Sequence, residues 1–339
     1  MNQPMNQRRP TRFLSRFTQY RRELATVLAY LLLLLLAAAI APSFFSRANW
    51  RDLVVNNAPV LIIAVGMTLV ILVAEIDISV GSQFAVCSLA AAGLAKAGLP
   101  IALWAPCVLA VGAVLGSLNG LLVARWRLPS IIVTLAMLAA WRNASQWITQ
   151  GAWVQDLPEN FQWFGLGQRT GEVLIVVISF LLFLSFAWGL RNLGAGRAVY
   201  AVGCDPEAAR LVAINPGGVV FGVFLLMGVL TALASILNAV RFSAVPGNAG
   251  VGLELKVIAA VVVGGTAIRG GRGTLFGTLA GVALLGTIGT VLTFAGINPF
   301  WEKAIQGAII LSAAVSDTAL GHLNRHVRFH LLRATAAHD

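Results

Sequence analysis

An all-α, polytopic membrane bundle of about ten transmembrane helices, with both termini on the cytoplasmic side, is the fold class this sequence predicts. Three observations carry it. Of 339 residues, 58% are hydrophobic and only 11% charged, with a mean hydropathy of +0.83. A soluble domain carries about 25% charged residues, and this much apolar surface exceeds what one soluble core buries. The apolar residues gather in runs near the roughly 20 residues that a helix needs to cross the hydrocarbon core. The arginines gather in short clusters between those runs.

The runs cover about 24–42, 56–74, 80–98, 101–124, 129–149, 172–190, 217–240, 254–266, 274–295 and 301–317. The eighth is short. The first ends in "AAAIA", whose small residues fit a signal-peptide cleavage site, yet the run is long beside an h-region of about 7–15 residues.

Charge orients the runs. Arginines precede the first in "RRPTRFLSRFTQYRR", and others follow the fourth in "ARWR", the sixth in "RNLGAGR", the eighth in "IRGGRG" and the tenth in "RHVRFHLLR". If the runs alternate, all of these fall on one side, which the positive-inside rule makes cytoplasmic. An even number of spans follows. The chain then divides into a basic N-terminal segment, 1–23, a transmembrane domain, 24–317, with a cytoplasmic loop at about 191–216, and a basic C-terminal tail, 318–339. The net charge of +11 is accounted for by these clusters. No long basic stripe interleaved with aromatics points to nucleic acid. Cys87, Cys107 and Cys204 have neither metal-ligand spacing nor a disulfide framework, so no metal site is expected. The four histidines, His322, His326, His330 and His338, all lie in the tail.

Polar residues interrupt the oily pattern at four places. In "AEIDISVGSQ", 74–83, a helix is expected to stop near Glu75 and another to start after Gly81, with Ser79 or Ser82 as cap. A broken helix at membrane depth is tolerated where it lines protein or a cavity, and its N-terminus offers N–H groups to a hydroxylated ligand. A short polar turn at the membrane surface, with Glu75 and Asp77 solvated, fits the pattern equally. In "MLAAWRNASQWI", Arg142 costs about 2.5–3.5 kcal/mol near a helix centre. Such residues tend to face the bundle interior, and Asn143, Gln146 and Trp147 share one face at i, i+3 and i+4. Amides beside an aromatic face suit a sugar. Snorkelling of Arg142 to the interface is the competing reading. Asn119 and Asn238 are further candidates, with interhelical hydrogen bonding as the alternative. The segment 151–171, "GAWVQDLPENFQWFGLGQRTG", reads as an interfacial aromatic belt or an external docking surface.

In the loop at 191–216, "DPEAAR" reads as a short helix. Asp205 caps it, Pro206 suits its first turn and Glu207 favours its positive end. Ala208, Ala209 and Leu211 supply a small apolar face. In the stretch 255–286, Gly277 and Gly281 stand four apart, a spacing that lets helices approach closely.

Three stretches in order carry a family likeness over about residues 50–317. The first is "EIDISVGS". The second, 196–215, opens on Gly196 and Arg197 and continues as "AVYAVGCDPEAARLVAIN". The third is "LKVIAAVVVGGTAIRGGRGTLFGTLAGVALLG", 255–286. The chain resembles the permease subunits of ribose-type carbohydrate ABC importers, a group that includes ribose, xylose, rhamnose and autoinducer-2 permeases. The family usually reads "GIDLSVGS"; here Glu75 and Ile78 replace the glycine and leucine. Arginine also stands at 269, where the family usually has serine or leucine nearby. The resemblance implies a sugar-like solute, a second permease subunit, a solute-binding protein and a separate ATPase subunit that holds ATP and magnesium, in a bacterial inner membrane. No G-x-x-x-x-G-K-[ST] phosphate loop occurs in the chain, so no cofactor is expected on it. The resemblance further implies that Gly196, Arg197, Tyr200, Gly203, Asp205, Glu207, Ala208, Ala209 and Arg210 form a coupling helix that seats in the ATPase. Candidates for the solute path are Glu75, Asp77, Ser79, Asn119, Arg142, Asn143, Gln146, Trp147 and Asn238.

Two other classes compete. A secondary transporter or channel needs its own coupling residues and leaves the "DPEAAR" helix without a task; co-purification with an ATPase separates the two. A membrane enzyme needs a catalytic constellation, and the histidines of the tail do not supply one.

Overall fold

The computed structural model describes residues 21–298 and 300–312. Most of the basic N-terminal segment, the end of the tenth run and the tail with its four histidines lie outside these residues. The described chain is built from helices, with no strand and one isolated antiparallel bridge between Val154 and Val245.

In chain order the helices are α1 (Arg21–Ile40), α2 (Arg47–Leu72), α3 (Val80–Lys96), α4 (Ile101–Gly120), α5 (Ser130–Thr149), α6 (Gln168–Asn192), α7 (Gly194–Cys204), α8 (Pro206–Leu211), α9 (Pro216–Ala239), α10 (Leu253–Val263) and α11 (Leu275–Phe294). A further helix over 301–312 is α12. A π-helical turn, Leu121–Arg125, extends α4. By length and composition, six of the described helices are able to cross a membrane: α1, α2, α4, α6, α9 and α11. Within the described residues the other expected runs are also helical. However, α3 is shorter, α5 carries Arg142, Asn143 and Gln146 amid its apolar residues, and α10 has 11 residues.

Helix α2 is central, buried along most of its length from Leu53 to Leu72. It packs against α9, α6, α11 and α10, and α9 packs in turn against α4 and α3. Small residues set these approaches. A Cβ on Gly112 of α4 would stand 2.4 Å from the Gly228 carbonyl oxygen of α9, and one on Gly116 would stand 2.3 Å from that of Phe224. Gly277 and Gly281 of α11 lie equally close to α10, each with a carbonyl oxygen of Gly264 or Ala260 1.9 Å from where its Cβ would be. The four-residue spacing thus places backbone against backbone, where dispersion and not water exclusion holds helices together in lipid.

Helix starts follow local chemistry. Thr274 caps α11 through Gly277 N (3.1 Å) and donates to Glu23 Oε1 (2.7 Å), which ties the start of α1 to the start of α11. Asn215 caps α9 through Gly218 N, with Pro216 in its first turn.

Candidate functional site

The break in "AEIDISVGSQ" sits at the same end of the bundle as α7 and α8. Helix α2 closes with Glu75 N donating to Val70 O and Ala74 N to Ile71 O. Ala74 is left-handed (φ 65°), the position where helices usually place glycine. The chain then turns back and α3 begins at Val80. Asp77 is fully buried in this turn. Its Oδ1 accepts from the backbone N–H and the hydroxyl of Ser79, and its Oδ2 from Gln83 Nε2 (3.0 Å) and Asn119 Nδ2 (3.5 Å). Ser79 Oγ accepts from both amides at 2.8 Å. Ser79 stands at the N-cap, but its hydroxyl is turned to Asp77 and takes no helix N–H; Ser82 Oγ donates to Ser79 O. The capping expected of these serines is replaced by a buried polar knot that fastens the turn to α4 through Asn119. Asp77 is therefore not solvated. A buried carboxylate is tolerable only when hydrogen-bonded, and four donors meet it here.

Gln83, absent from the sequence-derived candidates, completes the knot. Its place at i+4 from Ser79 inside an apolar helix was the available signal. Glu75 is separate and only partly buried. Beside it, Ile76 N donates to Ser130 Oγ (3.3 Å) and Thr134 Oγ1 to Ile76 O (3.4 Å), which fastens the turn to the start of α5.

Arg142 points inward: its Nη1 donates to Ala249 O, and the Glu254 carboxylate attracts it. Asn143 bonds its own helix at Ala139 O (2.8 Å). Asn143, Gln146 and Trp147 are exposed on this chain and do not join Arg142 around one space. Asn238 accepts from Arg241 Nη1 (3.5 Å) at the opposite end of the bundle from α7 and α8.

Helices α7 and α8 form a platform across the ends of α2 and the 264–273 loop. Gly196 lies against Leu190 and Gly203 against the Leu72 carbonyl, both without room for a Cβ. Gly271 N donates to Leu72 O (2.9 Å), and Tyr200 Oη donates to Gly273 O (2.9 Å). Burial, and then the Glu23 carboxylate, push the Tyr200 hydroxyl above its ordinary pKa. Asp205 Oδ1 accepts from Glu207 N (3.0 Å) and Ala208 N (3.1 Å), with Pro206 leading α8. Arg210 pairs with Glu207 at 2.8 Å, and Arg197 reaches Asn192 O.

The apolar face of α8 differs from the expected one. Ala209 is buried in the core because it lies on the side of α8 that packs against α7 and α9. Ile214 N closes back on Ala209 O, with Ala213 left-handed (φ 62°). The outward apolar face is Ala208 with Leu211, 89% exposed, and Val212, 69% exposed.

The described bundle has several membrane-length spans and a braced helix pair across one end, the second helix capped by Asp205, and with the family match the chain falls in the class of membrane transport subunits. More particularly, the chain belongs to the family described as branched-chain amino acid transport system / permease component, whose model matches residues 49–314. It is 35% identical over 299 residues to the ribose import permease protein RbsC of Escherichia coli (strain K12), covering 87% of this chain and 93% of that protein. It is 34% identical over 303 residues to RbsC of Haemophilus influenzae, covering 88% and 94%. It is 34% identical over 305 residues to the autoinducer 2 import system permease protein LsrC of Yersinia pseudotuberculosis (strain IP 31758), covering 90% and 87%. No solved structure matches the chain.

Proposed function

We propose that this chain is the permease subunit of an ABC importer for a sugar or sugar-like solute. A binding protein delivers the solute, a second permease subunit completes the path, and a separate ATPase, holding ATP and magnesium, drives it. The relatives' ribose and autoinducer-2 substrates favour this class over the amino acids in the family's description. The observation that carries the coupling role is the seating of α8. Its inward side is fixed by Ala209 and its first turn by Asp205, while Leu211 and Val212 are exposed, with none of the described residues covering them. Exposed large apolar side chains on a braced helix suit a groove in a partner protein. Gly196 and Gly203 support it by allowing α7 to lie flat on α2 and α6; Tyr200 ties it to the 264–273 loop, and Arg197, Glu207 and Arg210 give it a charged rim.

With α7 and α8 in the cytoplasm, both termini are cytoplasmic and the spans number ten. Four helices complete the count: α3, α5, α10 and α12. At about 1.5 Å per residue, the 11 residues of α10 rise roughly 16 Å, about half the hydrocarbon thickness of about 30 Å. The 241–252 segment supports the rest of the crossing, since irregular backbone inside a membrane must be enclosed by protein or line a cavity. On this reading Asp77, Ser79 and Asn119 brace the inner end of the path, with Glu75 at its rim. Arg142 holds the 249 turn, and Asn143, Gln146 and Trp147 face a second subunit or lipid.

The test is assembly in nanodiscs. The chain alone should hydrolyse no ATP, and with the ATPase and binding protein it should accumulate sugar. Sugar uptake that needs no ATPase would install the secondary-transporter reading instead. Leucine uptake in place of sugar would keep the coupling role and replace the solute class.

A further inference from the structure

At the end of the bundle away from α7 and α8, an open cavity of about 590 Å³ lies between α2, α3, α9, α10 and α12. It exists because α10 starts late. Gly250 and Gly252 are left-handed (φ 71° and 82°), so the backbone unwinds above Leu253 and leaves space over the first turn of α10. Tight packing closes it below: a Cβ on Gly81 of α3 would stand 2.4 Å from Gly250 O and closer still to Glu254 Oε2. Helix α3 thus forms the floor where the two shortened helices meet.

The lining is chemically mixed. Asn56 and Asn238 turn their carbonyl oxygens to Arg241, and among the described residues neither Nδ2 group has a partner. Lys256 Nζ meets Glu302 Oε1 at 3.4 Å, and Gln306 Nε2 donates to the same oxygen (3.0 Å). The carboxylate keeps acceptor sites and the ammonium keeps donors. Phe84 and Phe300 add apolar rings. The inner charges cancel as a pair. Lys303, the remaining cation on the lining, is exposed and screened by water.

We infer that this cavity binds a neutral polyhydroxylated solute of pentose to hexose size. Alternating donors and acceptors match hydroxyl groups, which are both, and phenyl rings match the C–H faces of a sugar. Lys256 is paired with Glu302, and Arg241, behind the two asparagines, is balanced by Asp52 and Glu172, so no uncompensated inner cation calls for an anion. The volume lies within the roughly 300–1,000 Å³ of small-molecule pockets. The inference rests on the importer reading and adds the place and the residues at which the solute is held within this chain.

The test uses Asn238→Cys in a chain carrying Cys107→Ser and Cys204→Ser; Cys87 is buried and stays. The chain in nanodiscs is labelled with a small hydrophilic methanethiosulfonate, with D-ribose, D-xylose, L-rhamnose, D-ribose 5-phosphate or L-leucine present. At least one neutral sugar should slow labelling fivefold or more. The sugar phosphate and leucine should not, and a control Val212→Cys on α8 should be unaffected. In the complete transporter, Asn56→Ala should raise the KM for uptake about tenfold with ATPase association intact. Slowing by the phosphate or leucine but by no neutral sugar overturns the ligand class, and equal slowing at Val212→Cys overturns the site. If no sugar protects Asn238→Cys although the complete transporter carrying that variant imports one of them, the cavity assignment falls while the importer reading stands. If the complete transporter imports no sugar, the importer reading falls first.

Discussion

Gly203 of α7 lies so close to Leu72 at the end of α2 that a Cβ on the glycine would stand 1.7 Å from the leucine's carbonyl oxygen. The same oxygen accepts from Gly271 N, so three segments meet at one atom. Backbone cannot yield as a flexible side chain does. Gly203→Ala should therefore cost more than the roughly 1–3 kcal/mol of ordinary overpacking and lower the melting temperature of the purified chain. Gly222→Ala on α9, with nothing within 4 Å, is the control; it should be neutral or stabilising by up to about 1 kcal/mol. Equal melting of the two variants would dissolve the contact's importance.

The faces of α8 separate folding from docking. Leu211→Asp changes a side chain 89% exposed and should shift stability by no more than about 0.5 kcal/mol, yet abolish retention of the ATPase. Ala209→Trp, at a buried position, should lower the melting temperature before any partner is added. Co-purification and thermal melting on both variants check this. An L211D chain that holds its ATPase normally moves the docking surface elsewhere, with "IRGGRG" the next candidate.

The knot around Asp77 predicts an order of severity. Asn119→Ala removes a donor from Asp77 and Ser79 inside a fully buried site and should cost about 1–3 kcal/mol. Asn119→Asp is nearly the same size but sets a second carboxyl beside the first, and should cost more. Chemical denaturation of the two proteins in detergent decides; the reverse order would show that Asn119 acts by volume and not by donation.

Helix positions were legible because apolar runs of membrane length leave few alternatives, and the cap at Asp205 because its chemistry is local. The small-residue spacing of Gly277 and Gly281 also predicted a close approach, though not that α10 would be the partner. What escaped the sequence depends on distant segments. Whether Asp77 was solvated turned on Gln83 and on Asn119, which lies on another helix. Ala209 and Leu211 looked alike on a short helix until α9 covered one side. Asn143, Gln146 and Trp147 shared a face as expected, but that face is the outer one on this chain, while Arg142 next to them reaches Ala249. The cavity draws on α2, α3, α9, α10 and α12, and no local pattern announces such a meeting.

Asp205 offers the sharpest local test. Its carboxylate accepts from Glu207 N and Ala208 N, two of the N–H groups that a helix start leaves unpaired. The loss of such a cap costs about 1 kcal/mol, whereas asparagine caps about as well as aspartate. Asp205→Ala should thus speed hydrogen exchange at the amides of Glu207 and Ala208 about fivefold, since about 1.4 kcal/mol is tenfold. Asp205→Asn should leave exchange near that of the unaltered chain. The six residues of α8 are too few to be stable without packing, so fraying should spread to Leu211 and weaken ATPase binding in the alanine variant alone. Mass spectrometry of exchange and a binding titration on the three proteins decide the matter. If asparagine behaves as alanine does, the negative charge and not the hydrogen bonds holds the turn, and the capping account of α8 is wrong.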